Sequence, residues 1–186
     1  GLYEDFFTGD VTVTANLINA GVEATTASFR APAVYATKGV DGSDMDWTIT
    51  RFALLDLDGD GTDELVLNID FSGEEEYVIL TCYDGAVYAN QVVHRGFLSP
   101  KADGTFEWSN GAFDNGASRA RFENGVLVYE DFSSMSEGSD GNAVYTLNGE
   151  SIDEAAFSAF LDEQAAKDDL AWTEFSVDAV DAALAG

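Results

Sequence analysis

Between two apolar runs, residues 52–55 and 65–69, the chain carries Asp56, Asp58, Asp60 and Glu64, at positions 1, 3, 5 and 9 of one loop. Gly61 stands at position 6 and the Thr62 carbonyl at position 7. Oxygen ligands at alternate positions wrap a hard cation of Ca²⁺ size, and the glycine permits a turn that a side chain would block. A helix-loop-helix calcium site closes on a bidentate glutamate at position 12, but that position is Leu67, so this loop has to close early on Glu64. The flanks are apolar runs of β type, so the expected unit is strand, calcium loop, strand over residues 48–70. The expected ligands are Asp56, Asp58, Asp60, Glu64 and the Thr62 carbonyl, holding one Ca²⁺. Mg²⁺ demands a smaller, regular octahedron and fits such a loop poorly. A Ca²⁺ enclosed by protein oxygens leaves no position open for a substrate, so the ion is expected to staple the fold and not to catalyse.

Charge sets the class of partner. With 35 acidic residues against 8 basic ones the net charge is -27, which repels nucleic acid and anionic membrane surfaces and favours cations. No apolar run is long enough to span a membrane, and no signal peptide is present, so the chain is expected to be either cytosolic or a trimmed ectodomain. Calcium tips the balance toward an extracellular or cell-surface address, because a site of modest affinity would be empty in a resting cytosol. At 186 residues, nearly half of them hydrophobic, the expectation is one globular domain over residues 1–186. Cys82 is the only cysteine, which rules out an internal disulfide. Sharing a strand face with Val78 and Leu80, it is expected to be an inert core thiol.

Turn residues divide the rest into a β-rich centre with helical ends. Residues 2–8, with Tyr3, Phe6 and Phe7, suggest a short N-terminal helix; the β-branched Val11-Thr12-Val13-Thr14 follows, and 15–36 fits strand or helix. Asp84-Gly85 and Asn124-Gly125 are two-residue hairpin signals, and residues 101–104 mark a further turn between strands expected at 95–98 and 105–108. Residues 133–141 are rich in Ser, Gly and acids and read as a loop before a strand at 142–147. An antiparallel meander over 75–147 results. The period then changes over 151–185: Ser151 and Glu154 form a capping box, Phe157, Phe160 and Leu161 share a helical face, and Ser176 caps a last helix presenting Val177, Val180 and Leu184. The expected class is α+β, an antiparallel meander with a short N-terminal helix and C-terminal helices packed on the sheet.

The calcium hairpin and the run from Tyr145 through Asn148-Gly149 to the helix ending near Leu161 resemble an uncharacterised family of secreted proteins and lipoproteins of Gram-positive bacteria. The opening residues 2–9 are similar to that family's first helix. The loop alone is also similar to the calcium hairpins of integrin-type propellers and dockerins, but no second loop follows at the spacing a dockerin needs. The resemblance implies an extracellular, metal-stapled, β-rich fold and no activity.

Other constellations have plain readings. His94 is the only histidine, and none of Ser99, Ser133, Ser134 and Ser139 sits in a nucleophile elbow, so no triad is expected. One His and one Cys on separate strands do not make a zinc site. Glu74, Glu75 and Glu76 read as a solvated strand edge, and Asp41, Asp44 and Asp46 lack the spacing of a full ligand set, leaving a second cation site open. Tyr35, Trp47, Trp108 and Phe113 read as core and loop anchors, with a sugar-stacking platform as the alternative. The expected function is therefore a non-enzymatic calcium-stabilised binding or structural module of a bacterial surface protein. A carbohydrate-binding or carbohydrate-active protein, and an acidic inhibitor of a basic secreted enzyme, are the alternatives.

Overall fold

Leu65, Val66 and Leu67 are apolar on successive residues, and a strand with that pattern has to be covered on both faces. The computed structural model, which describes residues 3, 6–7, 12–19, 22–30, 47–71, 73–92 and 95–185, shows this burial. Leu65, Leu67 and Ile69 enter one core with Phe52, Val78 and Leu80, while Val66 enters another with Ile79, Phe97, Phe106 and Leu127. Each such side chain, fully buried, contributes about 1.5–3 kcal/mol.

The strands are β1 (Thr12–Asn19), β2 (Val22–Arg30), β3 (Trp47–Leu55), β4 (Glu64–Phe71), β5 (Glu74–Tyr83), β6 (Ala86–Val92), β7 (Thr105–Gly111), β8 (Asp114–Glu123), β9 (Val126–Glu137), β10 (Ala143–Leu147), β11 (Glu150–Ile152) and β12 (Thr173–Glu174). The helices are α1 (Glu154–Ala165) and α2 (Val177–Leu184). One sheet runs β12-β3-β4-β5-β6 antiparallel and is extended by β1 and β2, with β1 parallel to β6. The second runs β11-β10-β9-β8-β7, antiparallel throughout. The inner faces of the two sheets share the core around Phe106. The far face of the first sheet is covered by Tyr3, Phe6 and, from α2, Val180. On the far face of the second sheet lies α1, with Phe157 against Tyr145 and Phe160 against Phe132. Among the described residues no helix is long and apolar enough to cross a membrane.

A polar joint also ties the sheets together. Asn90 of β6 is fully buried; its Nδ2 donates to the Gly125 carbonyl at 3.0 Å, and its Oδ1 accepts from the Leu127 N–H at 3.0 Å. The β8–β9 turn at Asn124-Gly125 is thereby held under β5 and β6, with Tyr83 donating its hydroxyl to Asn124 Oδ1 at 2.8 Å. Gly125 has φ +82°, and a Cβ there would stand 2.3 Å from the Tyr88 ring, so only glycine fits this turn.

The β-dominated architecture with two C-terminal helices agrees with the expected class in outline, and four details are corrected. The single meander is two, β3 to β6 and β7 to β11, because both faces of β4 need cover. Residues 133–137, expected as loop, continue β9: Ser133 is buried opposite Leu147, and Ser134 shares a hydrogen bond with Thr146 at 2.7 Å. Ser151 is not a helix cap, since it lies in β11; Asp153 caps α1, accepting from the Ala156 N–H at 2.8 Å. Residues 95–98 form no strand, only a bridge between Leu98 and Glu107. Ser176 does cap α2, accepting from the Ala179 N–H at 3.1 Å. Of the expected N-terminal helix, Tyr3, Phe6 and Phe7 are helical, and its other residues lie outside the described ones.

The C-terminal end of α1 is fixed by charge. Buried Lys101 donates to the carbonyls of Ala165 and Lys167 and pairs with Asp169 at 2.7 Å, a cation at the negative end of the helix. Lys167 pairs with Asp103 at 2.8 Å. Burial opposes ionisation of Asp103, but the Lys167 ammonium and the hydroxyl and N–H of Thr105 outweigh it and hold the carboxyl down at about 2. A depressed carboxyl stabilises the fold above its ordinary value of 3.8 and loses that contribution as pH falls through about 2. Acid titration of the melting temperature of Asp103→Asn should therefore be flatter than wild type between about pH 4 and pH 2, and parallel curves would show that the pair is energetically silent.

Candidate metal centre

The loop between β3 and β4 is prefolded by its own acids. Asp56 accepts from the N–H groups of Gly59 at 2.8 Å and Gly61 at 3.0 Å, Asp58 from Asp60 at 3.1 Å, and Asp60 from Thr62 at 2.7 Å. These are Asx-type turns, and each bends the chain back on itself. Gly59 at φ +78° and Gly61 at φ +89° supply the left-handed steps that the wrapping needs.

Glu64 opens β4 and differs from the other acids because it is only 2% exposed. Its Oε2 accepts from the Leu57 N–H at 3.0 Å and its Oε1 from the Thr81 hydroxyl at 3.1 Å. Burial, reinforced by the charges of Asp58 and Asp60, pushes its carboxyl up to about 7 against those two hydrogen bonds. Partial burial, with the charges of Asp60 and Asp56, likewise lifts Asp58 above the usual carboxylate range, although it accepts the Asp60 N–H. One carboxylate oxygen from each of Asp56, Asp58 and Glu64 lies within 4.8 Å of the others. Oxygens about 2.3–2.6 Å from a shared Ca²⁺ can span that separation. The group can therefore chelate a divalent cation. Asp60 is outside it, and Asp60 and Thr62 are both exposed.

Thr81 and the Leu57 N–H are parts of this centre that the loop spacing does not reveal. Their signal is register: Leu65 pairs with Leu80, which sets Thr81 beside Glu64. Tyr3 approaches from the covered face, its hydroxyl 3.0 Å from the Leu80 carbonyl and 3.3 Å from that of Asp63.

The remaining candidates separate clearly. Cys82 is exposed, not in the core, because its strand face runs past the packed interior after Leu80; burial of the sulfur and the Glu64 charge still push the thiol up despite the Tyr3 hydroxyl. Glu75 is exposed and pairs with Arg51 at 2.8 Å, and half-buried Glu76 accepts from Gln91 at 3.1 Å, both at the start of β5, which lies between β4 and β6 and is no edge strand; the Glu74 side chain lies outside the described residues. Trp108 is 7% exposed and donates to Asp131 at 3.1 Å, whereas Phe113 is exposed in a turn, so these two share no flat platform. His94, Tyr35, Asp41, Asp44, Asp46 and the Trp47 side chain lie outside the described residues. Comparison of the chain with protein-family models, curated proteins and solved structures finds no match.

Proposed function

We propose that the β3–β4 loop binds one Ca²⁺, with Asp56, Asp58 and Glu64 as converging ligands and Asp60 and the Thr62 carbonyl completing the shell. The domain is then a calcium-stapled, non-enzymatic binding or structural module on the outside of a bacterial cell. One observation carries the reading: Glu64 is a buried carboxylate that faces two more carboxylates and has no cationic partner among the described residues. A buried carboxylate costs several kcal/mol unless it is paired, and a hard dication answers the whole cluster at once. The extracellular address is supported by the modest affinity expected of a mostly exposed loop and by the resemblance of the hairpin, taken together with residues 145–161, to secreted proteins of Gram-positive bacteria.

Calorimetry on chelator-treated protein should detect one Ca²⁺ per chain, with Mg²⁺ much weaker. At about 1 mM Ca²⁺ and an affinity on the order of 0.1 mM, binding to the folded state alone adds roughly 1.4 kcal/mol. For a domain of this size that is a rise in melting temperature of about 3–6 °C. No heat of binding together with an unchanged melting curve would refute the site.

A further inference from the structure

The second sheet carries a polar cleft on the face that holds α1. It encloses about 480 Å³. Thr105, Arg119 and Glu130 line it and are direct register partners across β7, β8 and β9, so their side chains stand in one row. Lys167 closes the Thr105 end, where its Nζ lies 3.1 Å from the Thr105 hydroxyl. Phe132 and Asn148 close the other, joined by a backbone hydrogen bond of 2.7 Å.

Arg51, Lys101, Arg121 and Lys167 are all in ion pairs, as a chain with such an excess of acid would dictate. Among the described residues Arg119 and Arg95 are in none, and Glu130, the register partner of Arg119, has neither an ion pair nor a side-chain hydrogen bond. The two opposite charges flank the same cleft without closing on each other. A guanidinium offers a fork that fits a carboxylate bidentately, and Glu130 is an acceptor for an ammonium. A simple anion would be repelled by a chain of net charge -27, so a ligand that brings a carboxylate to Arg119 has to carry its own cation. Adjacent opposite charges suit the adjacent carboxylate and ammonium of a free α-amino acid, and half-buried Phe132 offers an apolar wall for its side chain.

We propose that this cleft binds an α-amino acid zwitterion, its carboxylate on Arg119, its ammonium on Glu130 and an apolar side chain against Phe132. The probe is L-leucine, titrated into ¹⁵N-labelled protein. Saturable shifts at Arg119, Glu130 and Asn148 are expected, with an affinity on the order of 1 mM. Leucine amide and N-acetyl-leucine each lack one charge and should bind about tenfold or more weakly. Arg119→Ala, at an exposed position, should keep the wild-type melting temperature and weaken leucine by a similar factor. Chelator should change none of this, which separates the cleft from the metal reading. No saturable shift up to roughly 10 mM leucine would overturn the proposal. So would equal binding of the blocked compounds, or of leucine by Arg119→Ala.

Discussion

The Ca²⁺-induced rise in melting temperature is expected to vanish in Glu64→Gln, while the chelated variant should melt above chelated wild type. Both effects come from burial. With Ca²⁺ the glutamate supplies a charged ligand at the start of β4, clamping that strand to the loop; glutamine keeps the shape but leaves a neutral oxygen among Asp56, Asp58 and Asp60. Without Ca²⁺ the same carboxylate is a desolvated charge facing like charges, and burial has already raised its carboxyl to about 7. At about pH 8, removing that charge should stabilise the chelated protein by on the order of 2 kcal/mol, since the glutamine oxygen can still accept from the Leu57 N–H while its amide nitrogen donates to the Thr81 hydroxyl. Scanning calorimetry of both proteins, with Ca²⁺ and with chelator, reads both effects. Equal calcium shifts would remove Glu64 from the ligand set. A chelated variant that melts below wild type would show that the carboxylate serves the fold through Leu57 and Thr81 and is not held for a cation.

Asn90→Ala should be the most damaging single change away from the metal loop. It deprives the Leu127 N–H and the Gly125 carbonyl of their partner inside a buried interface, where each orphaned group costs about 1–3 kcal/mol. The expected loss is roughly 3 kcal/mol, or about 6–12 °C in a domain of this size. Denaturant unfolding with an unchanged slope would assign the loss to stability and not to a looser native state. A loss below about 1 kcal/mol would mean that apolar contact around Phe106 joins the sheets unaided.

Neither the register of Asn90 nor the existence of its partners is visible in the chain, although the turn it grips is. Asp84-Gly85 and Asn124-Gly125 adopt positive φ at both residues, as two-residue hairpins require, and Asn148-Gly149 does the same to start β11. A turn of this kind is a local steric matter, so two residues suffice to specify it. The loop acids are local too: Asp56, Asp58 and Asp60 bend the backbone through bonds to N–H groups at most five residues away. Ser151 and Asp153 offer the same kind of cap two residues apart, and pairing of residues 150–152 with β10 decides for Asp153.

Hairpin turns, the acidic loop and the last helix cap were thus determined by the sequence alone, because each depends on neighbours along the chain. Tertiary structure alone decided that β6 turns its polar Asn90 toward a second sheet and that β1 lies parallel beside it. It also decided that Glu64 is buried while Asp60 is not, and that Arg119 stands next to Glu130. These facts depend on which distant surfaces meet, and burial is a property of the packed whole. A carboxylate on the rim of the loop and one beneath it are the same letter class in sequence, and only the cover supplied by β5 and Tyr3 makes one of them expensive to leave unpaired.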